Sequence, residues 1–252
     1  MLGNRELFAG LLMTSEPNSA SREVSYPRVL INSPNAGPGV TPGVTPGAII
    51  ATSAGLVLRY ARDDDSLAII ALVSAVWSEY PDKILVAATD MPELLQPATS
   101  YAQCGGRFWV VEANDRLIGT VALEPSEEPG VVELQKLYVA GGLRRNGLGS
   151  FLCYLVDREA RERGAQAVEL WSDVKLLDAH HRYEQLGYRR GSEIRQRDDT
   201  SKTVQYYYRK PMLIDAAAMI PGADDDLPGW LSRLHIPTTP QARGEVPEAP
   251  AA

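Results

Sequence analysis

Between residues 56 and 212 the apolar positions follow two spacings, and each change of spacing marks an element. Runs rich in β-branched and aromatic residues at 56–60, 107–112, 117–123, 131–139, 167–172 and 204–209 predict strands. Asn114-Asp115 between the second and third of these predicts a hairpin turn. Helical spacing takes over elsewhere. Leu67, Ile70, Ala71, Val73, Ser74 and Trp77 predict a helix with that stripe inward, and 91–103 predicts a weaker one interrupted at Pro97. The clearest helix covers 147–163, with Leu148, Phe151, Leu152 and Leu155 on its buried face, Asp157, Arg158, Arg161 and Glu162 on its wet face, and Gly164 ending it. A last helix, 178–186, stops at Gly187. The order β, α, α, β, β, β, α, β, α, β, β predicts an α/β (α+β) domain with a mixed central β-sheet of about six to seven strands and helices on both faces.

Composition sharpens where this domain begins and ends. The chain has 252 residues, 44% hydrophobic and 23% charged, enough for one good core. Its glycine and proline are concentrated early, where Pro34, Pro38, Pro42 and Pro46 recur every four residues and Gly-Val-Thr-Pro is repeated at 39–42 and 43–46. Each proline removes a backbone donor and each glycine adds entropy to be lost on ordering, so 1–53 is expected to be a disordered segment. The acidic stretch 213–252, with six carboxylates against Arg233 and Arg243, is expected to be mostly disordered as well. Within it, Leu227, Trp230, Leu231 and Leu234 share a face of a short helix at 227–235. That stripe is expected to dock on its own domain or to form a partner or homodimer contact. The folded domain is expected at 54–212.

Charge and cysteine usage then exclude several classes. A net charge of −7 argues against a nucleic-acid or anionic-membrane partner. Cys104 and Cys153 are the only cysteines, too few for a disulfide framework or a zinc site, and no apolar run reaches the length of about twenty residues that a membrane span needs. A cytoplasmic protein without metal is the expectation.

The segment that carries chemistry is the strand 131–139 followed by Arg144-Arg145-Asn146-Gly147-Leu148-Gly149-Ser150 and a helix. A strand, a glycine loop and a helix start form an anion site. Successive N–H groups converge there, and the helix adds roughly half a positive charge at its N-terminus. Neither the P-loop spacing nor the dinucleotide-binding spacing is present. What remains is Arg-x-x-Gly-x-Gly.

On that loop, and on 179–188, which read Ala-His-His-Arg-Tyr-Glu-Gln-Leu-Gly-Tyr, the chain resembles the GCN5-related N-acetyltransferase (GNAT) superfamily, in particular bacterial members acting on small molecules. The resemblance covers 56–212 and implies the GNAT fold with acetyl-CoA as cosubstrate. It implies that Leu137, Tyr138 and Val139 lie along the pantetheine arm, and that Arg144, Arg145, Asn146, Gly147, Leu148, Gly149 and Ser150 hold the pyrophosphate. Three positions depart from the family pattern. Gly141 replaces a proline, Arg145 a glycine, and Leu176 an asparagine that contacts the pantetheine, a role for which Asp173 is the substitute at hand.

The chemistry requires two proton transfers. An alkylammonium has a pKa of about 10.4, so freeing the amine at pH 7 costs roughly 4.6 kcal/mol and calls for a base. Glu133 lies where a subset of the superfamily carries its glutamate, and strand alternation puts it on the side of Gln135 and Leu137. Glu124 and Glu112 are competitors. Tyr183 matches the tyrosine that relatives use to protonate the departing thiolate, while the neighbouring His180 and His181 are expected on the helix surface. The reading is direct acetyl transfer to a primary amine of a small molecule. Its alternatives are a protein or peptide N-acetyltransferase, or a catalytically silent acyl-CoA-binding regulatory module. Specificity is expected from the two weakly patterned helices and from 192–203, where Arg195 and Arg197 are either holders of a substrate carboxylate or merely solvated.

Overall fold

The computed structural model describes residues 44–53 and 55–212. They form one sheet of eight strands flanked by five α-helices. The strands are β1 (Ile49–Ser53), β2 (Leu56–Tyr60), β3 (Arg107–Ala113), β4 (Arg116–Pro125), β5 (Val131–Val139), β6 (Ala167–Asp173), β7 (Arg189–Gln196) and β8 (Val204–Pro211). Their spatial order is β1-β2-β3-β4-β5-β6-β8-β7. Only β5 and β6 run parallel. A parallel pair needs a crossover, and α4 (Leu148–Glu162) supplies it.

Two layers cover the sheet. On one face α4 buries Leu148, Phe151, Leu152 and Leu155 against Leu58, Val121, Leu123 and Val168. Each such side chain contributes about 1.5–3 kcal/mol when it leaves water completely. α5 (Leu177–Gln185) adds Tyr183 to the same core. On the other face α1 (Ser66–Trp77) and α3 (Pro97–Gln103) cover Phe108, Val110 and Ala122 with Ile69, Val73 and Tyr101. The one-turn α2 (Ala87–Asp90) precedes α3.

Several expectations need correction. Residues 49–53 are not part of a disordered segment: they pair as β1 with β2 across a turn at Gly55, where φ is +81°. The turn is hidden in the sequence because Ala48 to Leu58 reads as one apolar run. With β7 defined over 189–196, the strand count rises to eight. α1 is rotated from its predicted stripe. It buries Ile69, Leu72, Val73 and Val76 and leaves Leu67 81% exposed, because a helix this uniformly apolar has no polar face to fix its phase. Asp157, assigned to the wet face of α4, is buried under β8, where Lys210 Nζ reaches it at 2.5 Å. The proline-rich residues before 44 and the whole of 213–252, including the helix expected at 227–235, lie outside the described residues.

Candidate active site

The parallel pair opens as it runs. β5 and β6 are in register only at Val131, Val132 and Glu133, opposite Ala167, Val168 and Glu169. From Leu134 onward the β6 side of β5 has no strand partner, which leaves an exposed strand edge inside the molecule. A β-bulge accompanies the split. The register of β4 on β5 slips between Thr120, opposite Tyr138, and Ala122, opposite Gln135, with Lys136 at φ +50°. Thr120 Oγ1 donates to the Lys136 carbonyl at 2.8 Å and fixes the kink. One extra residue resets the alternation. Leu137 and Val139 therefore pack on the α4 side. Gln135 and Tyr138 face the α1 and α3 side, where the Tyr101 hydroxyl donates to Gln135 Oε1 at 2.9 Å and Trp77 Nε1 donates to the Tyr138 hydroxyl at 3.4 Å. Glu133 thus shares its face with Gln135 as expected, but not with Leu137.

After β5 the chain makes a short 3-10 turn at Gly141–Leu143 and enters α4 through two left-handed residues, Arg145 (φ +64°) and Gly147 (φ +87°). No side chain caps α4. The N–H groups of Leu148, Gly149 and Ser150, which lie in the first turn, have no acceptor within the helix. That open cradle fits a pyrophosphate. The arginines beside it are used differently. Arg144 grips Glu79, just past the end of α1, through Nη1 at 2.5 Å and Nη2 at 2.8 Å, and its Nε donates to the Val139 carbonyl at 3.3 Å. Arg145 reaches Asp178 at 3.4 Å, both side chains being 85% exposed. Backbone is left to make the cradle, and Arg144 braces it against α1.

Where β5 and β6 part there is a cavity of about 110 Å³ whose lining includes both Glu133 and Tyr183. Burial pushes the Glu133 carboxyl up, and Arg195, 3.8 Å away, opposes this while Glu124 and Glu169 reinforce it. Both are cross-strand neighbours of Glu133, on β4 and β6, and their negative charge disfavours its ionised form. Tyr183 is buried beside Tyr188 and Tyr208 at ring separations of 5.8 Å, and burial pushes its phenol far above the ordinary value. Among the described residues its hydroxyl has no hydrogen-bond partner. The histidines lie elsewhere. His180 is buried, contrary to expectation, with Nε2 2.9 Å from the Asp173 carbonyl, because Tyr206 and Tyr208 of β8 cover its ring. His181 pairs with Gln185 on the surface.

The rest of the cavity joins Asp173, Arg195 and Arg197, which the sequence singled out, with Lys83, Trp171 and Thr203, which it did not. Lys83 forms an ion pair with Asp173, and its Nζ donates to Thr203 Oγ1 at 2.6 Å. Asp173 is therefore committed to Lys83 rather than open. Trp171 carries Arg195 over its ring at 4.3 Å. The loop 197–203 is tied to 83–90 through Asp90, whose carboxylate accepts from the Val86 N–H and from the N–H and hydroxyl of Thr200, at 2.8–2.9 Å. Burial acts to raise Asp90, but these donors prevail and hold it below the usual carboxylate value. Thus the 192–203 stretch, expected to carry specificity, reaches the cavity through Arg195, Arg197, Asp199 and Thr203, and α2 ties its loop down from outside the lining. Proline and Asp at 90–92 were the available signal for a capped turn.

The split strands, the uncapped glycine loop and the covered cavity describe an acyl-CoA-dependent transferase fold, and the sequence profile of the acetyltransferase (GNAT) family matches residues 69–188. The chain belongs to that family of GCN5-related N-acetyltransferases, whose members bind acetyl-CoA. It is 33% identical to the uncharacterized N-acetyltransferase YjgM of Escherichia coli over 52% of this chain and 81% of that protein. It is 29% identical to human N-acetyltransferase 8 over 47% of this chain and about half (52%) of that protein. The fold is shared with yncA, described as a putative acetyltransferase from Salmonella typhimurium with its cofactor acetyl-CoA, at a TM-score of 0.51 and 16% identity over 64% of this chain and 96% of that one. Among the described residues no helix is long and apolar enough to cross a membrane.

Proposed function

We propose that the chain transfers the acetyl group of acetyl-CoA directly to a primary amine of a small molecule in the cytoplasm. The observation that carries this reading is that Glu133 and Tyr183, chosen from separate stretches of sequence, line one cavity at the point where β5 and β6 part. Acetyl-CoA supplies the activated acetyl thioester. The amides of Leu148, Gly149 and Ser150 and the left-handed turn at Arg145 and Gly147 hold its pyrophosphate, with Arg144 keeping the loop in place through Glu79. The free edge of β5 at Leu137, Tyr138 and Val139 offers backbone groups to an extended arm.

Glu133 takes the proton from the acceptor ammonium, directly or through water. Its raised pKa narrows the gap to the amine and makes it a stronger base than an exposed glutamate. Tyr183 acts as the donor at the departing sulfur. Because burial keeps its phenol protonated, it works chiefly by holding a hydrogen bond on developing thiolate charge in a site that excludes water. Cys153 is buried on the α4 side with its thiol pushed up by burial, which makes it a poor nucleophile and favours direct transfer.

The test is thiol release from acetyl-CoA by the purified chain against amines, polyamines, aminoglycosides and amino acids. Release well above the background rate, lost in both Glu133→Gln and Tyr183→Phe, is expected. Binding of acetyl-CoA with no release for any amine would replace the reading with that of an acyl-CoA-binding module.

A further inference from the structure

The cavity has an arrangement of charge that narrows the acceptor, granted the transfer reading above. Arg195 lies on β7 and Arg197 just past its end, two residues apart in an extended stretch and so on one side of it. Both line the cavity with Glu133. Each guanidinium is held in position by contacts that use few of its five N–H donors. Arg195 rests on Trp171 and its Nε donates to Gln205 Oε1 at 2.8 Å, while its 3.8 Å approach to Glu133 is too long for a hydrogen bond. Arg197 donates to the Asp90 carbonyl at 3.1 Å and stands 3.9 Å from Asp199.

The other cations of the cavity are already committed. Lys83 is closed on Asp173, and Lys136 on Glu93 at 2.6 Å. Asp199, buried, accepts from the Thr203 N–H at 2.8 Å. What is left is a pair of incompletely paired guanidiniums next to a carboxylate: Arg195 stands 3.8 Å from Glu133 and Arg197 3.9 Å from Asp199, neither close enough for a hydrogen bond. Guanidiniums with donors to spare beside a carboxylate offer a partner to each end of a zwitterion. A plain amine would leave the unused N–H donors of both guanidiniums without a close acceptor, and a phosphate monoester would bring excess negative charge beside Glu133, Asp173 and Asp199. Burial also pulls the Arg195 guanidinium down from its ordinary value, with Glu133 restoring only part, as expected of a cation short of a counter-charge. Ser172 Oγ, buried and without a hydrogen-bond partner among the described residues, adds an unspent hydroxyl to the same cavity.

We infer that the acceptor is an amino acid or a close analogue of one, its carboxylate held by Arg195 and Arg197 and its amine directed to Glu133. Arginine and a carboxylate form the strong two-pronged hydrogen bonds that such a task requires. Arg195 and Arg197 are then specificity determinants, acting on substrate binding rather than on the chemical step.

The experiment measures thiol release from acetyl-CoA by the full chain with a pool of the protein amino acids and, separately, a pool of the amines formed by their decarboxylation. Matched pairs follow, such as leucine with isopentylamine and lysine with cadaverine. The expected result is a kcat/KM at least about tenfold higher for the amino acid of a pair, a difference of about 1.4 kcal/mol carried by KM. In Arg195→Gln and Arg197→Gln that ratio falls toward one through a higher KM for the amino acid, and melting temperatures measured alongside report whether each variant is folded. A silent amino-acid pool, an amine pool accepted equally well, or a ratio unchanged in both folded variants overturns the carboxylate assignment. Transfer to other amines in those cases leaves the acetyltransferase reading standing, whereas silence across every amine, with acetyl-CoA still bound, removes both.

Discussion

The two walls of the cleft are built from different materials. One wall, made by the free edge of β5 and the loop into α4, presents backbone: a strand edge, two left-handed residues and an uncapped helix start. The other, made by β6, β7 and the loop 197–203, presents side chains: Trp171, Asp173, Arg195, Arg197 and Asp199. Backbone geometry depends on where glycine and left-handed residues fall, so the first wall is set by spacing and can serve a whole family with one cosubstrate. The second is set by the identity of residues distant in sequence, and that is where an acceptor is chosen.

Substitutions that affect one wall and spare the other test this division. The largest effect is expected for Glu133→Gln, which removes the proposed base between the walls. kcat should fall by on the order of 100-fold or more while acetyl-CoA affinity is kept, as read by steady-state kinetics and calorimetry. Next is Asp90→Ala. It leaves the Val86 and Thr200 N–H groups without their acceptor; both residues are exposed, so water replaces part of what is lost and the cost is about 0.5–1.5 kcal/mol per hydrogen bond. The melting temperature should drop and the acceptor KM rise, with acetyl-CoA affinity little changed. Gly147→Ala is the converse. A Cβ at φ +87° costs about 1–2 kcal/mol, so acetyl-CoA should bind roughly tenfold more weakly while the preference among acceptors stays the same.

The smallest expected effect is on pH. A base must be deprotonated to work, so the rate should rise with pH through the pKa of Glu133, which burial sets above the ordinary glutamate value of about 4.3. Arg195 lowers that pKa. Arg195→Gln should therefore move the acid limb of the kcat profile to higher pH, and Arg197→Gln should move it less. An acid limb unmoved in Arg195→Gln would separate Glu133 from the rate-determining proton transfer.

The same division explains what the sequence made legible. α4 and its loop stand out because Leu148, Phe151, Leu152 and Leu155 repeat against charged residues and because Gly147 and Gly149 occur at a fixed distance from β5. Tyr183 and Glu133 are candidates through resemblance and strand position, and both line the cavity. The phase of α1 was lost because apolar residues fill its whole circumference, and β1 because Gly55 lay inside a single apolar run. Lys83 with Asp173 and Asp90 with Thr200 connect residues 90 and 110 positions apart, a range at which no local pattern operates.

The bulge at Lys136 extends the contrast to single residues. Upstream of it β5 sends its even-numbered Val132 and Leu134 to the α4 core; downstream it sends the odd-numbered Leu137 and Val139 there. The strand is in effect written in two reading frames joined at one codon. Loss of that codon would delete no core residue and would leave Leu137 and Val139 facing the α4 core in one unbroken alternation, but it would remove the kink that Thr120 fixes at the Lys136 carbonyl, so what the extra residue specifies is the bend of β5 rather than the content of the core.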